Sequence, residues 1–178
     1  MHAPFLTCPP DIDESQKPGE DVKDLVLRLA QEKASKIAHQ YPQHFVIGAD
    51  QVQWCDGKIH GKPHQRTQAI EQLQRSSGKT TYFYSGLCTM HQAHMITKLV
   101  TTEVTFKKLT LQHINRYLDL DQPWHCAGSI RIEGMATCLI EKIASDDPMA
   151  IIGMPLMTIA SMLESLGFSF LDHQTSEC

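Results

Sequence analysis

Asp50 stands beside Gln51 just after the apolar run Phe45-Val46-Ile47, in the stretch HFVIGADQV at 44–52. A carboxylate at the end of a strand can orient a water molecule and take its proton, and open α/β sheets bind ligands beyond the carboxyl ends of their strands. The same carboxylate fits equally well as a turn cap or as the partner of a lysine. Lys62, in Gly61-Lys62-Pro63, would be presented from a stiff turn and could contact a phosphate, although a loop lysine is more often simply solvated. Glu14 closes the acidic run Asp11-Ile12-Asp13-Glu14, whose charges repel unless water, a cation or a basic group offsets them; a solvated acidic turn is the plainer reading. Glu133 follows Ile130-Arg131-Ile132 and fits a strand-end surface charge as well as a ligand contact.

Two other sets of reactive side chains carry less. His125 and Cys126 are adjacent, and neighbours on a strand point to opposite faces, which places the imidazole badly for activating the thiol. The pairs His60/His64 and His91/His94 lack a partner cluster of ligands and read as surface histidines rather than a metal site.

The elements that must position these residues follow from periodicity. Val22, Leu25, Val26, Leu29, Ala30 and Ile37 line one face of a helix over 22–37. A strand follows at 45–49, then a hairpin turn at Asp56-Gly57 and a short helix over 65–75. Strands are expected at 79–90 and 96–108; in the second, Val100, Thr102, Val104 and Phe106 alternate with polar residues, so one face is buried. Thr110 reads as the N-cap of a helix burying Leu111, Ile114 and Leu118. CAGSIRIEG at 126–134 is a loop or bulged strand, and a strand at 136–143 precedes a last helix that begins at Pro155, buries Met157, Ile159, Ala160, Leu163 and Leu166, and stops at Gly167. The fold class is α/β, one domain over 1–178, with a mixed twisted sheet and helices packed against it.

Composition narrows the function classes. The chain is 42% hydrophobic and 20% charged, ordinary for a globular protein, and its net charge of -4 argues against holding duplex nucleic acid through its phosphates. No apolar run approaches the length needed to span a bilayer, and MHAPFLTCPP lacks the pattern of a signal peptide, so the expected location is cytoplasmic. The six cysteines form no CxxC pair and read as reduced thiols.

In order, PDIDES at 10–15, LRLAQEKA at 27–34, VIGADQV at 46–52, GKP at 61–63, SGKTTYFYSGL at 77–87, CAGSIRIEG at 126–134 and DDPMAIIGMPL at 146–156 resemble the Maf family of nucleoside triphosphate pyrophosphatases, the septum-formation-inhibitor-like proteins. The ordered set covers nearly the whole chain. Gln51 and the CAGS segment with Glu133 make it most similar to the branch acting on 7-methyl-GTP rather than on UTP or dTTP. The resemblance implies a Maf/inosine-triphosphatase-like fold with a nucleotide cleft. It also implies hydrolysis of the bond between the α and β phosphates, with Asp50 as proton acceptor, Gln51 and Glu133 at positions linked to base choice, and Glu14, Lys33 and Lys62 around the triphosphate and a divalent metal cation, Mg or Mn. The implied partner is a small-molecule nucleotide, with homodimerisation left open.

The family normally opens with a strand, a loop of the form S-x-S-P-R-R and a helix ahead of the PDIDE segment. Met1 falls near the end of that helix, so the first strand and helix are expected to be missing, either because the start is misassigned or because the chain is a truncated form with weakened phosphate binding. The alternative function is therefore a catalytically impaired nucleotide-binding protein.

Overall fold

A computed structural model describes residues 4–172. Its element order is α1 (Val22–Gln40), β1 (Val46–Cys55), β2 (Lys58–His60), α2 (Arg66–Ser76), β3 (Thr80–His91), β4 (His94–Phe106), α3 (Leu111–Asp121), β5 (Ile140–Ser145) and α4 (Leu156–Ser165), with three short 3-10 turns between α3 and α4. The strands form one sheet in the order β2-β1-β3-β4-β5. The α/β class holds. The sheet, expected to mix directions, is antiparallel at every described pairing, because β1–β2 and β3–β4 are hairpins and the other connections also return the chain in the opposite sense. No helix among the described residues is long and apolar enough to cross a membrane.

The two sheet faces bury different helices. Val52 and Tyr84 pack with Val22 and Val26, while Val46 and Cys88 pack with Ala30 and Ala34, so α1 lies along the face carrying even-numbered residues of β1 and β3. On the opposite face Phe83, Val104 and Phe106 join Leu73 of α2 and Ile114 and Leu118 of α3, and Leu87 and Val100 join Ile159 and Leu163 of α4. The alternation expected for β4 is present, with Thr102 and Val104 wholly buried and Thr101 and Glu103 exposed.

Glycine sets how closely α1 approaches. A Cβ at Gly86 would collide with the Val26 carbonyl and one at Gly48 with the Ala30 carbonyl, so bare backbone on β1 and β3 receives the helix backbone directly. That contact, reinforced by the small side chains of Ala30 and Ala34, brings the next outward residues of α1 within reach of the sheet. Asp21 starts the helix by accepting from the Lys23 N–H at 2.8 Å.

Local expectations hold with particular exceptions, among them the strand expected at 136–143: Met135–Leu139 form a 3-10 turn and the strand runs over Ile140–Ser145. The hairpin turns at Asp56 (φ +48°) and Gly57 (φ +74°), and Thr110 caps α3 by accepting from the His113 N–H at 3.2 Å. Leu111 and Met157, expected inward, are 52% and 60% exposed, since each lies in a first helical turn beyond the edge of the packed face. His60 is not a surface histidine: it is buried, and its Nδ1 lies 2.9 Å from Gln53 Oε1. No group of three or more potential metal-ligating side chains occurs among the described residues.

Candidate active site

Asp50 was expected at the mouth of a strand ending at residue 49. It lies instead within β1, paired with Gly86 of β3, because the ladder continues to Trp54 opposite Tyr82. The polar residues Gln51 and Gln53 are accommodated because each finds hydrogen-bond partners on the far face, so polarity does not end the strand.

Among the described residues, this part of β1 has no strand on its outer side. The short β2 pairs only with Gln53, Trp54 and Cys55, so no described strand covers the outer edge of β1 at residues 49–52. A cleft of about 480 Å³ occupies that edge. Adjacent residues of a strand face opposite ways, yet at an uncovered edge both reach the same space, and Asp50 and Gln51 both line the cleft. Glu14, Lys33, Lys62 and Glu133 line it too, so the cavity brings together all six residues singled out from the sequence.

Lys33 organises the acidic side. Its Nζ lies 2.7 Å from Asp50 Oδ1 and 2.7 Å from Glu14 Oε1, reaching from α1 to β1 and back to the segment preceding the helix. Burial pushes the Asp50 carboxyl above the ordinary carboxylate range; Lys33 opposes that rise, the charge of Glu14 adds to it, and Lys62 opposes it from across the cleft. Burial also depresses the Lys33 ammonium, but its hydrogen bonds to Asp50 and Glu14 more than offset this and hold it above the ordinary lysine value. The pair is thus a basic carboxylate held ionised by a firmly protonated amine.

Glu14 reaches Lys33 because its segment is tied down. Arg28 Nε and Nη2 hold the two carboxylate oxygens of Glu20 at 2.5 and 2.9 Å, and Nη2 also donates to the Ser15 carbonyl at 3.0 Å. Hydrogen bonds from Arg28 and the Lys17 N–H lower the Glu20 carboxyl to about 2. These residues escaped sequence reasoning; the only trace was an acid and a base eight positions apart, which spacing alone does not distinguish from two solvated charges.

A polar network fixes the opposite wall. The Gly61 carbonyl, next to Lys62, accepts from Gln72 Nε2 at 3.2 Å and from the Gly128 N–H at 3.2 Å, while Ser129 Oγ donates to Gln72 Oε1 at 2.6 Å. Gly128, at φ +62°, abuts the side chain of buried Gln53, leaving no room for a Cβ. The loop bearing Lys62 is in this way fastened to the CAGS segment that leads to Glu133. Cys126 lines the cleft between them together with His125, the two lying in a turn rather than on a strand, and burial, with the charge of Glu133, pushes the thiol up, so it stays protonated and is a poor nucleophile.

Three carboxylates (Glu14, Asp50, Glu133) and two ammonium groups (Lys33, Lys62) line the cleft. A bound polyanion would leave a negative excess beside Glu14 and Asp50. Such oxygen donors suit a hard divalent cation, since Mg²⁺ commonly takes one or two carboxylates together with substrate phosphates.

The family model described as Maf-like protein matches residues 1–166. The 7-methyl-GTP pyrophosphatase of Nitrosococcus oceani is 42% identical over 170 residues, covering 94% of this chain and 85% of the relative. That of Vibrio parahaemolyticus is 42% identical over 173 residues (96% and 89%), and that of Colwellia psychrerythraea 38% over 178 residues (98% and 88%). With a match across nearly its whole length and relatives at this identity, the chain belongs to the Maf family.

Proposed function

We propose that the chain is a nucleoside triphosphate pyrophosphatase that hydrolyses 7-methyl-GTP to 7-methyl-GMP and pyrophosphate, removing a modified nucleotide. The observation that carries the reading is the convergence of Asp50, Lys33 and Glu14 in the same cleft as Gln51, Lys62 and Glu133. The names of the three relatives support the substrate.

Water is a poor nucleophile at neutral pH. Asp50, made more basic by burial and kept ionised by Lys33, orients a water against the α-phosphorus and accepts its proton as the P–O bond to the β-phosphate breaks. Lys33 offsets the charge of Asp50 and Lys62 that of the phosphates, while pyrophosphate departs with the electrons of the broken bond. Glu14, with Asp50 beside it, would hold a divalent cation such as Mg²⁺ or Mn²⁺, which when bound supplies charge neutralisation of the triphosphate. Gln51 and Glu133 face the base. A 7-methylguanine ring is cationic, so the Glu133 carboxylate favours it over guanine.

A reducing cytoplasm suits the five described cysteines, all free thiols. The reading is tested by following pyrophosphate release from 7-methyl-GTP, GTP and UTP. It requires preference for the first.

A further inference from the structure

Gln51 does not hang free in the cleft. Its Nε2 donates to Ser85 Oγ at 2.8 Å and to the Ala150 carbonyl at 2.7 Å. A carbonyl only accepts, so the Ala150 contact fixes which end of the amide is nitrogen. Ser85 completes the arrangement, accepting from Nε2 and turning its own hydroxyl hydrogen toward the same Ala150 carbonyl at 3.5 Å. Both amide hydrogens of Gln51 are then engaged. Its Oε1 lies 3.4 Å from the place a Cβ would take at Gly153, a lining residue at φ +93°. Ser85 is 1% exposed on β3 and is not itself part of the cleft wall.

The Ala150 side of this clamp is held independently. Asp147, 1% exposed, accepts from the Met149 N–H at 3.1 Å and from the N–H and Oγ1 of Thr158 at 2.8 and 3.0 Å. The Ala150 N–H donates to the Asp147 carbonyl at 2.9 Å, so the 147–153 turn is anchored to α4 before Gln51 meets it.

We propose that Ser85 is a positioning residue for base selection: with the Ala150 carbonyl it locks the Gln51 amide so that only an acceptor, Oε1, is offered to the base. The proposal rests on the nucleotide reading above. The base then meets two acceptors, Gln51 Oε1 and the Glu133 carboxylate. A guanine edge carries adjacent donors at N1 and the 2-amino group, whereas a uracil edge carries one donor between two carbonyl oxygens. An acceptor-only wall therefore matches guanine and opposes uracil. Without the Ser85 hydroxyl the Ala150 carbonyl alone holds the amide nitrogen, so the amide is less firmly fixed and can more readily turn its nitrogen toward a carbonyl of the base, which relaxes the choice.

Calorimetric affinities for 7-methyl-GMP and UMP, measured on the wild type, S85A and S85T, test this alongside kcat and KM for the triphosphates. S85A is expected to lower the affinity ratio about five- to tenfold, the size of one lost hydrogen bond, and to raise KM for 7-methyl-GTP while kcat stays within about twofold. S85T keeps the hydroxyl and is expected to restore the ratio; S85A, which removes one atom and adds none, is the deciding variant. A wild type that prefers 7-methyl-GMP beside an S85A with the same preference overturns the role of Ser85 alone. A wild type without preference overturns the role and the base reading together, and an equal fall in kcat on every substrate marks Ser85 as merely structural.

Discussion

The ammonium of Lys33 lies 2.7 Å from Oδ1 of Asp50, bridging the helix α1 and the strand β1 at a point where both side chains are only 15% and 11% exposed. The pairing keeps a buried carboxylate ionised, which a general base needs. Replacing Lys33 by Met leaves Asp50 without its counter-charge, so its carboxyl, already raised by burial, rises further. The acid limb of the kcat/KM pH profile is expected to move to higher pH. Stability should fall by about 1–3 kcal/mol at neutral pH, limited because Asp50 can take up a proton instead of remaining a bare buried charge. Chemical denaturation and a pH–rate series check both.

Burial makes Asp50 itself a cost to stability in its ionised form. Its folded pKa lies above the unfolded one, so folding takes up a proton between the two, and its contribution falls as pH rises through the folded value. Asp50→Asn removes that dependence. The difference in stability between wild type and variant should therefore change as pH rises from the ordinary carboxylate value of 3.8 through the raised folded value and level off above it, as thermal melts at several pH values would reveal.

Gly86 receives the backbone of α1 opposite Asp50. Gly86→Ala must push the helix off the sheet, and the movement carries Lys33 away from Asp50. Destabilisation of about 1–3 kcal/mol is expected from overpacking, with a fall in kcat at temperatures where the variant is still folded. A variant with wild-type melting and turnover would mean that α1 tolerates the shift.

The Glu20 carboxylate, lowered to about 2 by Arg28 and the Lys17 N–H, anchors the segment that delivers Glu14. Its contribution is present above the ordinary carboxylate value of 4.5 and is lost as pH falls toward 2. Glu20→Gln should loosen residues 11–18 without unfolding α1, raising KM for the triphosphate and weakening its dependence on added Mg²⁺. Limited proteolysis and a Mg²⁺ titration of activity measure these effects.

The sequence carried much of this arrangement, and its gaps have physical causes. Helix α1 was legible because Val22, Val26 and Ala30 repeat at helical spacing, and β4 because Val100, Thr102, Val104 and Phe106 alternate. The extent of β1 was hidden, since Gln51 and Gln53 look like loop residues until Ser85, Ser76 and Thr81 are seen supplying partners from distant positions. Glu14, Lys33, Asp50, Lys62 and Glu133 are spread over 120 positions, so their convergence depended on family resemblance rather than on local pattern. Arg28, Asp147 and Ser85 act through other residues, and such roles leave no mark in composition or spacing.

The central claim is that Asp50 takes the proton of the attacking water during cleavage of 7-methyl-GTP. Pyrophosphate release by the wild type and Asp50→Asn, both shown to be folded by thermal melting, tests it most directly. The wild type is expected to release pyrophosphate from 7-methyl-GTP in preference to GTP and UTP, and the variant to lose about 10²–10⁴-fold in kcat, as for removal of a general base. Comparable turnover by the variant would contradict the account.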